Sequence, residues 1–241
     1  MTGTAGGEKL LGDTSGGWLG DFPPRRWHLA LAAACVAVVY LAGVTNLWWP
    51  TSDSALYLSL ARSIVNGEGY QFNGMPHSHV TPGLPLALAG LRWLFGPGYW
   101  VPNLFVALCG MACLWLVYAT ITRLSDRRMA LAIALTTAFS YAFYFIGHRI
   151  LTDMPFILLF WAVAYAGLRS ARGSAWWIVA ACVFVVFGIT VRAPGMLLLG
   201  PLAVGLALER CSNARFGRRV LVGGAVLAAV AVTAIIFYLI A

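Results

Sequence analysis

The sequence predicts an all-α, polytopic membrane protein with about seven transmembrane helices and interfacial helices in a large first outer loop. Only 10% of the 241 residues are charged while 61% are hydrophobic, against roughly 25% charged in a typical soluble domain. The apolar residues fall in long runs, among them Leu29 to Trp49, Leu104 to Ile121 and Val220 to Ala241. A helix of about 20 such residues rises about 30 Å, the thickness of the hydrocarbon core. The basic residues flank these runs, so the net charge of +8 reads as membrane orientation and not as nucleic acid binding.

Residues 1–27 form a Gly-rich, polar cytoplasmic tail, and 28–240 form one transmembrane module. Arg25 and Arg26 precede the apolar segment 28–48. That segment exceeds the usual signal-peptide core of about 7–15 residues and lacks a clear cleavage site, so it is read as a retained first span. Further spans are expected at 100–121, 128–147, 153–169, 174–192, 194–209 and 218–240. The 194–209 segment is short and Gly-rich, which favours tilt, local thinning or a broken helix there. The five cysteines, Cys35, Cys109, Cys113, Cys182 and Cys211, lie almost entirely in apolar runs and read as small buried hydrophobes.

An eighth apolar stretch, Pro82 to Phe95, opens on Thr81-Pro82-Gly83 and closes on Gly96-Pro97-Gly98. It is too short for a full crossing, which favours an interfacial or re-entrant helix. Charge agrees. With this stretch outside, Lys9, Arg25, Arg26, Arg123, Arg127, Arg128, Arg169, Arg172, Arg210, Arg215, Arg218 and Arg219 lie inside, and Arg62, Arg92, Arg149 and Arg192 lie outside. A crossing would exchange the sides of everything after it, against the positive-inside rule. Residues 49–100 thereby become one extracytoplasmic loop, 148–153 becomes the second, and Asp53 and Asp153 share a face. Trp48, Trp49, Tyr99, Trp100, Trp176 and Trp177 stand at span ends, as belt residues should.

Of eight acidic residues, Glu8, Asp13, Asp21, Asp126 and Glu209 fall in the tail or on the inner side and read as solubilising charge. Asp53 follows Thr51 and Ser52, either of which can cap a helix running to about Val65, placing the carboxylate in its first turn with Tyr57 and Ala61 on the same face. Asp153 precedes Met154 and Pro155 at the mouth of a span, where proline is tolerated. Either acid can be a plain helix-start residue. His148, Arg149 and Asp153 nonetheless gather between two apolar spans, where ionisable groups are functional by default. Glu68, between Gly67 and Gly69, reads as a turn before extended Tyr70-Gln71-Phe72. There is no P-loop or dinucleotide fingerprint.

Four ordered motifs carry a likeness to a known family: Asp53-Ser54-Ala55-Leu56-Tyr57 with Ala61; Gly67-Glu68-Gly69-Tyr70; Thr81-Pro82-Gly83-Leu84-Pro85; and Arg149-Ile150-Leu151-Thr152-Asp153-Met154-Pro155. Together they resemble the GT-C superfamily, in its polyprenyl-phosphate-sugar dependent branch of protein O-mannosyltransferases and aminoarabinose transferases. The likeness covers roughly residues 30–200. It implies Asp53 as the catalytic carboxylate of the first outer loop, Asp153 as the second acid, and interfacial helices in that loop. The chain stops after about seven spans, which implies a fragment or a short member without the family's variable C-terminal half.

The resemblance implies sugar transfer from a polyprenyl-phosphate donor to a lipid, glycan or protein acceptor, with inversion, at the outer face of a bacterial-type inner membrane. Asp53 would accept the proton of the incoming hydroxyl. Arg149, Arg192 or Arg62 would compensate charge on the donor phosphate, and Tyr57 and His148 would line the site. Some relatives carry a metal ligand just before the proline that Pro82 matches. Here His79-Val80-Thr81-Pro82 replaces their Lys-Pro-Pro or His-Pro-Pro core. His77 and His79, with Asp53 as a distant carboxylate, form a candidate set for a divalent metal ion, beside the plainer reading of a polar loop without metal. Rival readings are a lipid or solute transporter, which would carry broken repeats and charges deep in several spans, and a non-catalytic membrane assembly partner.

Overall fold

The computed structural model describes residues 26–170 and 176–210. Helix α1 (Arg26–Ala42) is followed by α2 (Ser52–Val65), a hairpin of β1 (Gln71–Phe72) and β2 (Met75–Pro76), α3 (Gly83–Phe95) and α4 (Trp100–Leu124). Then come α5 (Arg127–Ala138), α6 (Tyr141–Ile146), α7 (Asp153–Ser170), α8 (Trp176–Val191), a 3-10 segment at Ala193–Leu198 and α9 (Leu199–Arg210). Among the described residues, Trp100–Leu124 alone is both long and apolar enough to cross a bilayer unaided; Trp27–Ala42, Gly83–Phe95, Trp176–Val191 and Ala193–Val204 are apolar but shorter. The expected count of seven crossings is therefore not established by helix length. The expected span at 218–240 and nearly all of the tail lie outside the described residues.

Two expected spans are interrupted. The first helix ends at Ala42 rather than at 48. A Cβ on Gly43 would meet His148 Nε2 and Tyr144 Oη at 2.5 Å, so the chain passes too close to α6 for a side chain there. The freed segment serves another helix: Asn46 Oδ1 accepts from the N–H groups of Tyr99 and Trp100 at 2.9 and 3.0 Å, satisfying donors that the start of α4 leaves open. Asn103 Nδ2, one turn inside α4, donates to the carbonyls of Thr45 and Leu47 at 2.9 Å each. The expected 128–147 span is likewise two helices. α5 ends at Ala138, whose carbonyl accepts from the buried Tyr40 hydroxyl at 3.0 Å, and Ser140 caps α6 through Phe143 N at 3.2 Å.

The 194–209 segment is a broken helix: a 3-10 stretch with Pro194 near its start, then α9. It folds back tightly on α8, because a Cβ on Gly195 would meet Ile189 Cα at 2.4 Å. Helix α7 is central and packs against α4, α8 and α9. Val163 and Ala166 of α7 meet Ile178, Ala181, Cys182 and Val185 of α8 and Leu198 and Leu202 beyond it in one core. Small residues at these contacts let the helix backbones approach, as membrane helices require when lipid is as apolar as the interface. Large apolar side chains such as Trp115 of α4 and Phe187 of α8 point outward. Cys109, Cys113 and Cys182 are buried, while Cys35 is exposed.

These contacts sort the helix ends. His148 Nε2 lies 2.9 Å from the Tyr40 carbonyl, joining the chain after α6 to the C-terminal end of α1. Thr81 Oγ1 donates to Val191 O at 2.9 Å, joining the start of α3 to the end of α8. Together with the Asn46 and Asn103 bonds, they place α2, α3, the N-termini of α4 and α7 and the C-termini of α1 and α8 at one end of the bundle. The Ser125–Asp126 turn lies at the far end of α4, about 37 Å away for a helix of this length.

Candidate active site

Asp53 is set by a reciprocal cap. Thr51 Oγ1 accepts from Ser54 N at 3.1 Å, and Thr51 N donates to Ser54 Oγ at 3.0 Å. Trp48 Nε1 donates to the same hydroxyl at 3.0 Å, and the Trp48 ring stacks on Tyr99. Asp53 therefore occupies the first turn of α2, exposed, with its carboxylate accepting from Ser52 Oγ at 3.2 Å. Below it on the same face, Tyr57 and Ala61 are buried against Leu84, Leu88 and Ala89 of α3 and Ile150 of the second loop. One face of α2 is thus packed onto the segment that leads into α7, and its first turn is left accessible.

Asp153, in the first turn of α7, is ion-paired with Arg192 at the end of α8. The two side chains retain 32% and 43% exposure, so the pair is open to solvent or ligand. Immediately beside it, α3 begins against α8: a Cβ on Gly83 would meet the Thr190 carbonyl oxygen at 2.7 Å. The cation at 192 is consequently fixed from α7 by a carboxylate and bordered by the start of α3.

The expected cluster of His148, Arg149 and Asp153 does not form as a unit, because the three side chains turn to different partners. His148 lies with its ring nitrogens 2.8 and 2.9 Å from the carbonyls of Tyr144 and Tyr40, a cross-link between α6 and α1. Arg149 stacks on Phe145 and Trp49, with Cζ 3.8 and 5.6 Å from the ring centroids. Arg62 is exposed near the end of α2, nine residues beyond Asp53, which is about 13 Å of helix rise. Tyr57 is 8% exposed and belongs to the core beneath the site.

The hairpin carries the histidines. Asn73 and Gly74 both have positive φ, 52° and 77°, which suits the two-residue turn between β1 and β2. His77 N donates to Tyr70 O at 3.0 Å, and the rings of Tyr70, Phe72 and His79 surround the His77 ring at 6.3, 6.1 and 5.8 Å. The Tyr70 hydroxyl donates to Val80 O at 2.9 Å. Burial, and secondarily Tyr57, pushes its phenol up to about 12. Among the described residues no three His, Cys, Asp or Glu side chains gather as metal ligands, so His77, His79 and Asp53 are not one group. Two imidazoles fall short of the three protein ligands of a catalytic zinc site, and the donor set does not fit a metal held by protein alone.

Several positioning residues escaped the sequence reading. Ser54 had a signal, being the N3 partner of a Thr51 cap. Asn103 had one too, as an amide inside an apolar helix. The Asn73-Gly74 dipeptide is itself a hairpin signature. Thr81 and Gly83 gave none, since their roles depend on α8, more than a hundred residues away.

The helical membrane bundle is of the GT-C glycosyltransferase class. Residues 79–238 match the family described as dolichyl-phosphate-mannose-protein mannosyltransferase, and the chain belongs to that family. Its fold is similar to the apo crystal structure of ArnT from Cupriavidus metallidurans, with a TM-score of 0.68 and 19% identity over 85% of this chain. The chain spans 40% of the length of that ArnT chain. No match is found among curated proteins.

Proposed function

We propose that the chain transfers a sugar from a polyprenyl-phosphate-linked donor to an acceptor hydroxyl at the extracytoplasmic face of the plasma membrane, with inversion at the anomeric carbon. The observation that carries the reading is the Asp153–Arg192 pair at the same end of the bundle as the accessible Asp53. Family membership supports the lipid-linked donor, and the basic turn at the opposite end, with Arg123, Arg127 and Arg128, supports the sidedness.

In this mechanism Asp53 accepts the proton of the acceptor hydroxyl as its oxygen bonds to the anomeric carbon. The bond from that carbon to the phosphate oxygen breaks, and the electron pair leaves on the polyprenyl phosphate. Arg192 compensates the growing negative charge, oriented by Asp153 until the phosphate arrives. Arg149, stacked on Trp49 four positions before Asp53, is a second cation at this end of the bundle. The test is transfer of labelled sugar from a polyprenyl-phosphate donor in membranes containing Asp53→Asn. Loss of transfer with donor binding retained supports the reading, and unchanged turnover in a folded variant removes Asp53 from the reaction.

A further inference from the structure

At the end of the bundle away from Asp53, two arginines converge on one tyrosine. Arg123 closes α4 and Arg169 closes α7, each in the last turn. Their Cζ atoms lie 5.1 and 5.8 Å from the Tyr165 ring centroid, and Arg169 is also 4.9 Å from that of Trp177. Arg123 Nη2 donates weakly to the Tyr165 hydroxyl at 3.5 Å. A cation at a helix C-terminus is ordinary, but that accounts for one charge per helix and not for two of them sharing one ring. Two like charges about one ring repel, and the aromatic face offsets only part of this.

The hydrogen bonding is also incomplete. Arg123 Nη1 and Arg169 Nε are buried and, among the described residues, have no hydrogen-bond partner. Among the described residues neither guanidinium has a carboxylate within ion-pair distance, and the nearby Asp126 is engaged as the cap of α5, accepting from Met129 N at 2.7 Å. Buried guanidinium N–H groups without an acceptor are unfavourable and call for an anion. An oxyanion is the acceptor that suits such groups, since a phosphate offers several oxygens to planar guanidinium forks. The approach is apolar: Trp115 is 61% exposed on α4, with its ring 6.0 Å from Tyr165. An acyl chain lying on that indole would bring its headgroup to the arginines.

We propose that Arg123 and Arg169 bind the phosphate of an anionic phospholipid, with Tyr165 and Trp177 beneath the guanidinium groups and Trp115 under the acyl chain. This site is separate from the Asp53 end and takes no part in the transfer reaction.

The test uses the full chain in nanodiscs of phosphatidylcholine alone or of phosphatidylcholine mixed with phosphatidylglycerol, followed by native mass spectrometry of retained lipid. The wild type is expected to retain phosphatidylglycerol about tenfold over phosphatidylcholine, and Arg123→Gln/Arg169→Gln to lose that preference. Arg127→Gln, which removes a charge from the neighbouring turn, should keep it. Arg123→Lys/Arg169→Lys holds the charges and should retain an intermediate preference, so misfolding of the glutamine variant does not hide the answer. Equal retention of both lipids by the wild type overturns the proposal, as does an undiminished preference in a folded glutamine variant. Thermal protection by inorganic phosphate but not by phosphatidylglycerol overturns the lipid assignment in favour of a soluble anion.

Discussion

The two ends of the bundle treat polar groups differently. At the end that holds Asp53, the amides of Asn46 and Asn103, the hydroxyl of Thr81, the imidazole of His148 and the Asp153–Arg192 pair all cross between distant segments. At the other end, Arg123 and Arg169 share a tyrosine ring and leave buried N–H groups unmet among the described residues. The contrast teaches where rigidity was built. A transition state with shifting charge gains most from groups already in place, whereas a surface that meets headgroups can leave its hydrogen bonds for lipid to complete.

The sharpest way to break the contrast is at the accessible carboxylate. Asp53→Asn is expected to lower transfer by about 10²- to 10⁴-fold, the usual contribution of a positioned base, with little change in thermal stability because, among the described residues, Asp53 hydrogen-bonds to its neighbour Ser52 alone. Smaller is the effect of Asp153→Asn, which should raise the KM for the lipid-linked donor and lower kcat/KM by about 10- to 100-fold. Its stability loss should stay below about 1 kcal/mol, because both partners of the pair are partly exposed. A large drop in Tm with unaltered kinetics would recast the pair as a structural strut.

Gly83→Ala probes the scaffold alone. The added methyl would meet the Thr190 carbonyl at 2.7 Å, and forcing α3 from α8 is expected to cost about 1–3 kcal/mol, read as a lower Tm, with Gly90→Ala on the same helix as the neutral control. The smallest effect belongs to Tyr70. Its folded pKa of about 12 exceeds the ordinary 10.0, so the loop holds that proton more tightly when folded. The associated stability is intact below pH 10 and declines as pH rises toward 12. Proteolysis of the Gly67–Gly74 segment should accelerate across that window in the wild type and lose this pH component in Tyr70→Phe.

Much of this was legible before the structure. The capped helix after Thr51, the short helix at Pro82–Phe95 and the break near Pro194 all follow from local rules of capping, length and proline placement. What failed was continuity: hydropathy alone ran the first helix through Gly43 and joined α5 to α6. Apolar composition reports burial or lipid contact, and it is silent about a backbone turning so that Tyr40 reaches Ala138. The site was legible to the same depth. Both acids were placed on helix starts, but Asp153 was grouped with its sequence neighbours His148 and Arg149, when its partner stands 39 residues on. Side chains on an irregular segment point in unrelated directions, and pairing across helices leaves no periodic mark.

The anchoring of α2 also has a bearing on biogenesis. Tyr57 and Ala61 find part of their cover in Ile150, and Thr81 finds its acceptor at Val191, both made much later than the loop that awaits them. A chain emerging from its N-terminus must therefore carry α2 and α3 as a provisional helical pair, mutually packed, until the following helices are inserted. Assembly of this end of the bundle is in this sense a late checkpoint: ribosome-stalled chains ending before Val191 should expose the 52–95 segment to protease, and longer ones should shield it.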